Sequence, residues 1–598
     1  MQQKKFTLQY IRMREDRKNK RNTTSAKGES ELFAVLKPYM SKIVLLIVFA
    51  LLGNGANLVI PKIISYGIDS YTSGRYVLKN VVTAFLAASA GIFVFSYLQA
   101  IVQTYASERV AFDLRKKLSD KISRQSFSFI REANPSKLLT NLTSDVNSVK
   151  MFVSHAVASI VSSVFMIIGT CVLLLTINWK LALPVIAMIP LIGISFWFVL
   201  RKVRVLFKRS REVIDRLNQV INESVLGAAI IRVINSQQLE YRKFLTANTE
   251  AKNVGISILT LFATLIPVIT FVANLTTLTI LALGGHFVIN GSLSLGDFAA
   301  FNSYVSILIF PIMVIGFMSN AIARASASYD RINQVLKAPE THSNGTDTTP
   351  LQGNIDVKNV TVLYDDKPVL KNVSFSVKAG SWTAIIGPTA AGKSQLLYLL
   401  TGLIRPHEGT VEFDGKNIEN FQKEFFHRQI GFVFQDSVLF NLSLRENIAF
   451  SNTVTDESLG KAIETAGLKG FVESLPQKLD TLVSERGTSL SGGQKQRIML
   501  ARALALNPKI LLLDDFTARV DPQTEKKILY NVLHNYPDLT LILVTQKIAP
   551  VKEFNQVILL MEGEIIAKGC HERLLATCPE YIQIYNSQQS TSHYELQS

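Results

Sequence analysis

Six apolar stretches, each long enough to cross a bilayer as a helix, constrain this chain more than any other feature. A hydrocarbon core needs about 20 helical residues, and all six stretches approach or exceed that length. They cover approximately residues 43–66, 81–104, 152–177, 181–200, 256–289 and 298–323. Prolines fall inside several of them, which packed membrane helices tolerate because neighbouring groups satisfy the freed carbonyls. The sequence therefore predicts an all-helical membrane domain over residues 30–338.

Basic residues predict the orientation of these helices. Residues 105–150 contain nine Lys and Arg and residues 201–253 contain eleven, whereas the short loops on the other side contain only Arg75, Lys79 and Lys180. By the positive-inside rule, both basic segments and both termini are cytoplasmic. Both segments alternate apolar and charged residues at helical spacing. The membrane helices are therefore expected to continue into the cytoplasm, with turns near Ile130–Leu139 and Asn218–Val225.

The net charge of +17 does not indicate a nucleic-acid partner, because much of it lies in one polar arm, residues 1–29. Residues 1–28 hold nine Lys and Arg against Glu15 and Asp16, with no apolar core of the kind that a signal peptide needs. Such a cluster is attracted to anionic lipid, and a regulatory or nucleic-acid role of the arm is the alternative. The three cysteines are Cys171, Cys570 and Cys578. They match no zinc or redox spacing and are interpreted as structural.

The composition changes after Ala338. A polar linker, residues 339–350, separates the apolar half from a region in which short β runs alternate with amphipathic helices. Examples of these runs are Thr383–Ile386, Ile430–Phe434, Ile510–Leu513 and Thr540–Val544. Such alternation predicts a parallel sheet wrapped by helices, here over residues 351–586, with a polar tail at 587–598.

A phosphate-binding loop follows the first of these buried strands. It consists of Gly387, Pro388, Thr389, Ala390, Ala391, Gly392, Lys393 and Ser394. The strand before it and the helix after it are the context that a P-loop requires. Lys393 is expected to reach the outer phosphates and Ser394 to ligate Mg²⁺, with Asp514 at the end of a later strand as second anchor. The predicted cofactors are ATP and Mg²⁺.

A second motif lies between the P-loop and Asp514, and it is more specific than the P-loop. It consists of Leu490 followed by Ser491, Gly492, Gly493 and Gln494. With this motif the chain resembles the ABC transporters, whose signature it matches. The resemblance covers roughly residues 30–580. It implies that the signature presents N–H groups to a phosphate held by a facing domain.

Other positions extend the resemblance. Tyr364 stands where an aromatic ring stacks on adenine, and Gln435 matches the Q-loop glutamine that senses Mg²⁺. Glu485 and Asp521 match the loop before the signature and the D-loop. The membrane half resembles the exporter branch, in which two halves sandwich two ATP molecules, each between one chain's P-loop and the other chain's signature. The predicted fold class is six long transmembrane helices extending into the cytoplasm plus an α/β P-loop ATPase domain with a signature-bearing helical subdomain.

Three positions depart from the family pattern. Asp515 replaces the hydrolytic glutamate, Gln546 replaces the switch histidine, and the D-loop reads Ala518-Arg519-Val520-Asp521. An aspartate is one methylene shorter than a glutamate, and a displacement of about 1 Å can cost about a hundredfold in rate. A glutamine cannot carry a proton near neutral pH as histidine can. Since Lys393 and Asp514 remain, the pattern predicts ATP binding without efficient hydrolysis.

This asymmetry resembles the degenerate-site subunit of heterodimeric bacterial multidrug exporters. The predicted function is ATP-driven export of amphipathic, drug-like compounds, with the intact signature completing the hydrolytic site of a different partner chain. The alternatives are a homodimeric exporter of lipid or peptide and a regulatory ATP-binding subunit. The expected partners are a second half-transporter, membrane lipid and a hydrophobic small molecule. A bacterial inner membrane is the expected location, with a eukaryotic organelle as the alternative.

The substrate path is expected between the membrane helices. His155 and His286 lie near span ends and are interpreted as packing residues. Several polar and aromatic residues are candidates either for a cavity lining that suits amphipathic drugs or for ordinary helix packing. These are Asn274, Phe301, Asn302, Tyr304, Phe310, Met313 and Phe317.

Overall fold

The structure is a computed structural model that describes residues 37–75, 78–340, 345–364, 367–484, 487 and 489–595. The chain divides into two compact units. The first, the membrane unit, comprises Met1–Arg124 and Ala133–Ala338; the second, the ATPase unit, comprises Gln125–Glu132 and Pro339–Ser598. The basic arm and Glu485 lie outside the described residues.

Six helices in the described residues are long and apolar enough to span a membrane. They are α1 (Met40–Thr72), α2 (Leu78–Ser123), α4 (Pro135–Ile177), α5 (Trp179–Leu226), α7 (Gln237–Ile289) and α8 (Leu295–Leu336), and the short helices between them are α3 (Phe127–Ala133) and α6 (Ala228–Val233). Helix α5 alone has 48 residues. At 1.5 Å per residue it is about 72 Å long, more than twice the thickness of a hydrocarbon core. The expectation of six long spanning helices is confirmed.

The two predicted turns have different outcomes. The first occurs at Asn134, which has φ 61° and whose side chain accepts a hydrogen bond from the Ser136 amide at the start of α4. Asparagine tolerates this left-handed conformation better than most residues. The second prediction is wrong, because residues 218–225 are helical and α5 continues to Leu226. The chain turns instead at Gly227 and at Asn235, which also has a positive φ, of 54°.

A large apolar cluster joins five of the spanning helices. It draws buried side chains from α1, α4, α5, α7 and α8. Phe301 and Tyr304 are completely buried in this cluster, and the Tyr304 hydroxyl donates to the Leu58 carbonyl at 2.9 Å. Of the two alternatives that the sequence left open for these residues, a cavity lining or helix packing, both residues take the second, because they belong to the packed core. Phe310, by contrast, is 72% exposed.

The ends of α1 and α8 opposite the basic segments are joined by a polar network. The Asp69 carboxylate accepts from the Gly296 amide at 2.8 Å and from the Ser294 hydroxyl at 2.7 Å. One turn away, Asp297 pairs with Lys62 at 3.0 Å. Gly296 lies so close to α1 that a Cβ added there would be 2.1 Å from the Ser65 carbonyl oxygen. These contacts hold α1 and α8 in close backbone contact.

The ATPase unit contains two sheets. An antiparallel sheet of order β2-β1-β4-β5 lies beside a mainly parallel one of order β10-β9-β3-β8-β7-β6. The strands are β1 (Ile355–Tyr364), β2 (Lys367–Val377), β3 (Trp382–Ile386), β4 (Glu408–Phe413), β5 (Lys416–Asn417), β6 (Ile430–Val433), β7 (Ile510–Asp514), β8 (Thr540–Thr545), β9 (Gln556–Met561) and β10 (Glu564–Gly569). Five consecutive neighbours, from β9 to β6, run parallel. The predicted parallel sheet is confirmed.

Helices cover both faces of the parallel sheet. They are α9 (Lys393–Leu400), α10 (Lys423–Arg428), α11 (Leu444–Ile448), α12 (Asp456–Thr465), α13 (Lys469–Ser474), α14 (Gly492–Leu504), α15 (Pro522–Asn535), α16 (His571–Thr577) and α17 (Pro579–Glu595). Two apolar cores result, one under α9 and the antiparallel sheet and one under α12, α14 and α15. Helix α17 continues through residues 587–595, where the sequence analysis places a polar tail. This architecture confirms the predicted fold class.

Candidate nucleotide-binding site

The P-loop leaves the buried strand β3 in a conformation that only small residues permit. A Cβ added to Gly387 would lie 1.9 Å from the Leu560 carbonyl oxygen. Ala390 and Gly392 have positive φ values, 65° and 96°, and Lys393 then begins α9. Turns of this kind point successive backbone N–H groups into one concavity, where the helix N-terminus adds to the positive potential. The loop is therefore shaped to hold an anion such as a nucleotide phosphate.

Lys393 lies folded over this loop. Its Nζ donates to the carbonyl oxygens of Gly387 and Pro388, each at 2.7 Å, and the residue is only 9% exposed. Burial lowers the pKa of the ammonium group, and the nearby carboxylates of Asp515 and Asp514 oppose that change. The lysine is thus a buried cation beside the P-loop, positioned for phosphate oxygens.

Asp514 ends β7 and is 2% exposed. Burial raises the pKa of its carboxyl group, while hydrogen bonding from Ser394 lowers it. Its Oδ2 atom is buried and has no hydrogen-bond partner among the described residues. An orphaned carboxylate oxygen beside a serine hydroxyl is a donor set that fits a hard divalent cation such as Mg²⁺. Ser394 and Asp514 would hold that cation, whose charge would favour the ionised carboxylate.

Asp515 and Gln546 lie at the ends of the neighbouring strands β7 and β8. Asp515 has φ 47°, and its amide donates to the Val544 carbonyl at 2.9 Å. Burial raises the pKa of its carboxyl group, whereas Lys393 and Lys547 lower it. The Gln546 amide donates to the Thr389 hydroxyl of the P-loop at 3.3 Å. Two of the three departures from the family pattern, Asp515 and Gln546, are therefore neighbours at this edge of the sheet, and Gln546 contacts the P-loop.

The strand order explains this convergence. In the sequence β3-β8-β7, parallel strands place their carboxyl ends at one edge, where ligands of open α/β sheets bind. The P-loop, Gln546 and the Asp514–Asp515 pair follow these three strands in turn. Residues more than 150 positions apart along the chain, such as Thr389 and Gln546, are thereby brought into contact.

Tyr364 and Gln435 occupy the margins of this region. Tyr364 ends β1 and is 46% exposed, and the guanidinium of Arg131 lies 5.4 Å from the centre of its ring. Gln435 follows β6 with an exposed side chain, and its carbonyl accepts from the Gln496 amide at 3.4 Å. The described contacts thus connect the Q-loop backbone to the helix that carries the signature.

The signature opens helix α14. Ser491 is its N-cap, with a reciprocal capping box in which the Gln494 amide donates to Ser491 Oγ at 3.2 Å and the Ser491 amide donates to Gln494 Oε1 at 2.8 Å. Gly492 and Gly493 lie against the D-loop, since Cβ atoms added to them would be 3.1 and 3.0 Å from atoms of Arg519. The capped turn leaves free N–H groups at the helix start, as anion binding requires.

Two further segments, helices α17 and α3, make contacts at the site. Gln588 of α17 donates to the Gln546 carbonyl at 2.7 Å and accepts from the Ile548 amide at 2.9 Å. These bonds connect the C-terminal helix to the loop that follows β8, residues 546–548, which we call the switch loop. Helix α3 contributes Arg131 beside Tyr364, and Phe127 beside Tyr398 at a ring separation of 5.3 Å. No local pattern marks Gln588, whereas Arg131 in the first predicted turn and Phe127 just before it were a usable signal for α3.

Comparisons with known proteins agree with this geometry. Residues 43–312 match the profile described as "ABC transporter transmembrane region", and residues 370–518 match "ABC transporter". The chain is 35% identical to the "Uncharacterized ABC transporter ATP-binding protein YfiB" of Bacillus subtilis, over 82% of this chain and 86% of that protein. It is 30% identical to the "Multidrug resistance-like ATP-binding protein MdlA" of Buchnera aphidicola, over 94% and 97% of the two chains.

One solved structure shows the same fold. The "Structure of a bacterial Atm1-family ABC exporter with ATP bound" aligns with a TM-score of 0.75 and 23% identity. The alignment covers 92% of this chain and 99% of the other.

Proposed function

This chain belongs to the ABC transporter family as an exporter-type half-transporter, and from that premise we propose that it exports amphipathic, drug-like compounds as one half of a heterodimer. It is a multi-pass membrane protein with an ATP-binding ATPase domain, and export by this family is driven by ATP. The multidrug resistance description of the Buchnera relative supports the substrate class. The distribution of Lys and Arg supports cytoplasmic termini, and the bacterial relatives support an inner-membrane location.

The chain's own nucleotide site would bind ATP tightly and hydrolyse it slowly. We assign phosphate binding to the P-loop backbone, Gly387–Ser394, and to the buried Lys393. Ser394, Gln435 and Asp514 would hold Mg²⁺, which supplies charge stabilisation for the transferring phosphoryl group when bound. Tyr364 would stack on the adenine. The contacts of Lys393 and the orphaned Asp514 oxygen support this assignment.

The observation that carries the proposal is the pairing of Asp515 and Gln546 beside an otherwise complete site. Asp515 is held by its backbone at the end of β7, so its shorter side chain cannot be offset by a freely moving loop. Gln546 already contacts the P-loop but has no titratable group with which to stabilise developing negative charge. Binding residues are retained while both hydrolytic positions are altered.

The intact signature gives the chain a second role. Ser491, Gly492, Gly493 and Gln494 form a capped helix start that would complete the ATP site on a partner chain's P-loop. A partner with a glutamate and a histidine at the positions of Asp515 and Gln546 would then perform most of the hydrolysis. The chain would contribute to catalysis at a site other than its own.

The first experiment is steady-state ATP turnover by the purified chain in lipid, with nucleotide binding measured in parallel. Binding without turnover is expected, and the double variant Asp515→Glu with Gln546→His is expected to raise turnover by at least about tenfold, since positioned groups of this kind contribute roughly 10²–10⁴-fold. Lys393→Ala serves as the control that removes ATP binding. Robust turnover by the unaltered lone chain, lost in Asp515→Asn, would contradict the heterodimer and indicate a homodimeric exporter.

A further inference from the structure

A cavity of about 480 Å³ opens among four helices of the membrane unit, α1, α2, α4 and α8. One side of its lining is polar and the other is mainly apolar. The polar wall consists of the carboxamides of Asn54, Asn57 and Gln99 and the hydroxyls of Ser159, Ser162 and Ser163. We refer to this space as the amide cavity. Its volume is typical of sites that enclose small organic ligands.

The amide cavity lies at hydrocarbon depth. Asn54 and Asn57 occupy the middle of the first predicted span, residues 43–66, and Phe310 occupies the middle of the last, residues 298–323. Polar groups at this depth have no lipid partner for hydrogen bonding, so leaving them without one is costly. A cluster of them therefore calls for an occupant that can accept and donate hydrogen bonds.

The protein itself does not satisfy these groups. Among the described residues, the side chains of Asn57 and Gln99 and the three serine hydroxyls make no hydrogen bond, and that of Asn54 only returns to the Ala50 carbonyl of its own helix, at 2.7 Å.

Several hydroxyls elsewhere in the spanning helices are paired within their own helix. Those of Ser195, Thr260 and Thr276 each donate to the carbonyl four residues earlier, at 2.9–3.0 Å. Unpaired polar groups are thus concentrated in the amide cavity, although the buried Thr170 hydroxyl of α4, outside the cavity, also has no partner among the described residues.

Charge is absent from the described lining. No Asp, Glu, Lys, Arg or His contributes to it. The other side is formed by Met166, Ser306, Ile307, Phe310, Pro311 and Val314, and the Ser306 hydroxyl donates to the Asn302 carbonyl of its own helix at 3.2 Å. A charged ligand would meet no counter-charge at this depth, and an entirely apolar one would leave the amides unpaired. The lining therefore selects against both.

We propose that the amide cavity binds the neutral, hydrogen-bonding part of the exported compound, a class that includes blocked peptides and other polyamides. The carboxamides and hydroxyls would pair with the ligand's amide or hydroxyl groups, while Phe310 and Met166 would pack against its apolar part. This inference rests on the proposed export function and narrows it, because it excludes lipophilic cations as preferred substrates.

The test measures binding to the full chain in lipid nanodiscs, together with its partner where one co-purifies. The probe is an uncharged dipeptide, acylated at its amino end, amidated at its carboxyl end and carrying a neutral fluorophore. A lipophilic cation of similar size, tetraphenylphosphonium, is the comparison. We expect the double variant Asn57→Leu with Gln99→Leu to weaken binding of the dipeptide at least about tenfold, since two or more hydrogen bonds would be lost.

Asn302→Leu is the matched control, because this amide also lies in α8 at membrane depth but is outside the cavity lining and contacts only the Phe298 carbonyl of its own helix. It is expected to change binding less than about twofold. If the leucine variants do not assemble, Asn57→Ala with Gln99→Ala removes the same groups without adding bulk. Unchanged dipeptide binding in either assembled variant, or preference for tetraphenylphosphonium, would overturn the inference.

A second readout separates this inference from the export function. Uptake of the dipeptide into inside-out vesicles is measured with and without ATP. Binding that depends on Asn57 and Gln99 without any ATP-driven uptake would sustain the cavity assignment and refute export of this class. Uptake that is insensitive to both substitutions would sustain export and refute the cavity assignment.

Discussion

At the scale of single residues, the proposed nucleotide site contains ionisable side chains that are largely buried from water. Lys393 and Asp514 are both buried, and burial disfavours the charged form of each. Each group partly compensates the other, because Lys393 lowers the pKa of Asp514 and Asp514 opposes the fall in the pKa of Lys393. Burying these two groups lowers the stability of the ligand-free protein, and an ionic ligand would offset that loss.

Asp514→Asn is predicted to separate the effect of Asp514 on stability without ligand from its effect on ligand binding. Without nucleotide, removing a buried carboxylate with an unpaired oxygen should raise the free energy of unfolding, by about 1 kcal/mol. Burial raises the folded-state pKa of Asp514. The ionised Asp514 carboxylate therefore destabilises the unaltered chain fully above that pKa, and this destabilisation is relieved as pH falls through it. The advantage of the variant should therefore shrink in acid. Thermal unfolding at several pH values, with and without Mg²⁺ and ATP, measures this; the variant should lose the stabilisation that ligand gives to the unaltered chain.

Arg502, like Lys393, is a cation that donates to backbone carbonyls, but it lies outside the proposed nucleotide site. Its guanidinium donates to the carbonyl and side-chain oxygens of Asn447 at 2.6 and 3.0 Å and to the Val438 carbonyl at 3.0 Å. It also lies 5.2 Å from the ring centre of Phe450. Burial lowers the pKa of Arg502 to about 10, so it is still charged at neutral pH.

Arg502→Lys is predicted to destabilise the ATPase unit by about 2 kcal/mol, because an ammonium group cannot reproduce the planar fork that reaches three oxygens or its stacking on an aromatic ring. The measurement is denaturant unfolding of the full chain in detergent. Arg445→Lys is the control, since Arg445 pairs with exposed Asp456 at 2.6 Å and should change stability by less than about 0.5 kcal/mol. Equal losses in the two variants would contradict the assignment.

At the scale of elements, the junction of α1 and α8 depends on one small residue. Gly296 brings its amide to the Asp69 carboxylate at 2.8 Å and leaves no space for a side chain beside the Ser65 carbonyl. Gly296→Ala is therefore predicted to force the helices apart and to destabilise the membrane unit by about 1–3 kcal/mol.

Gly193→Ala is the matched control for this prediction, because nothing lies within 4 Å of the added Cβ and alanine favours a helix. Thermal unfolding in nanodiscs compares the two variants. A lower midpoint for Gly193→Ala than for Gly296→Ala would show that the close approach of α1 and α8 does not limit stability.

Helix α3 shows how packing can divide a chain differently from its sequence. It follows α2 after a turn of a few residues, yet residues 125–132 group with the ATPase unit. Phe127 contacts Tyr398 of α9, and Arg131 faces Tyr364, the proposed adenine-stacking residue. A segment joined covalently to the membrane helices thus contacts the P-loop helix at Tyr398 and the end of β1 at Tyr364.

At the scale of the whole molecule, the predicted topology places the ATPase unit in the cytoplasm. The three cysteines provide a test, because Cys570 is exposed, Cys171 lies in a spanning helix and Cys578 is buried. A membrane-impermeant maleimide is expected to label Cys570 in inside-out vesicles and not in intact cells. Cys570→Ser is the control that should abolish the labelling, and labelling of Cys570 in intact cells would contradict the topology.

The sequence by itself determined the class of the fold and named most residues of the proposed nucleotide site. Hydrophobic runs of membrane length can be satisfied only as spanning helices, because an unpaired backbone is too costly in lipid. The P-loop and the signature are likewise local, since each requires particular residues at fixed spacing around one strand or helix. For that reason Lys393, Asp514 and Ser491 could be named before their surroundings were known.

Contacts between distant segments were decided only by the tertiary structure. The burial of Phe301 and Tyr304, the hold of Gln588 on the switch loop and the unpaired amides of Asn57 and Gln99 all depend on which helix faces are brought together. A periodicity shows that a residue lies on a face but not what that face meets. The same asparagine is a packing residue or a ligand-binding group according to the neighbours that folding gives it, and those neighbours come from other helices.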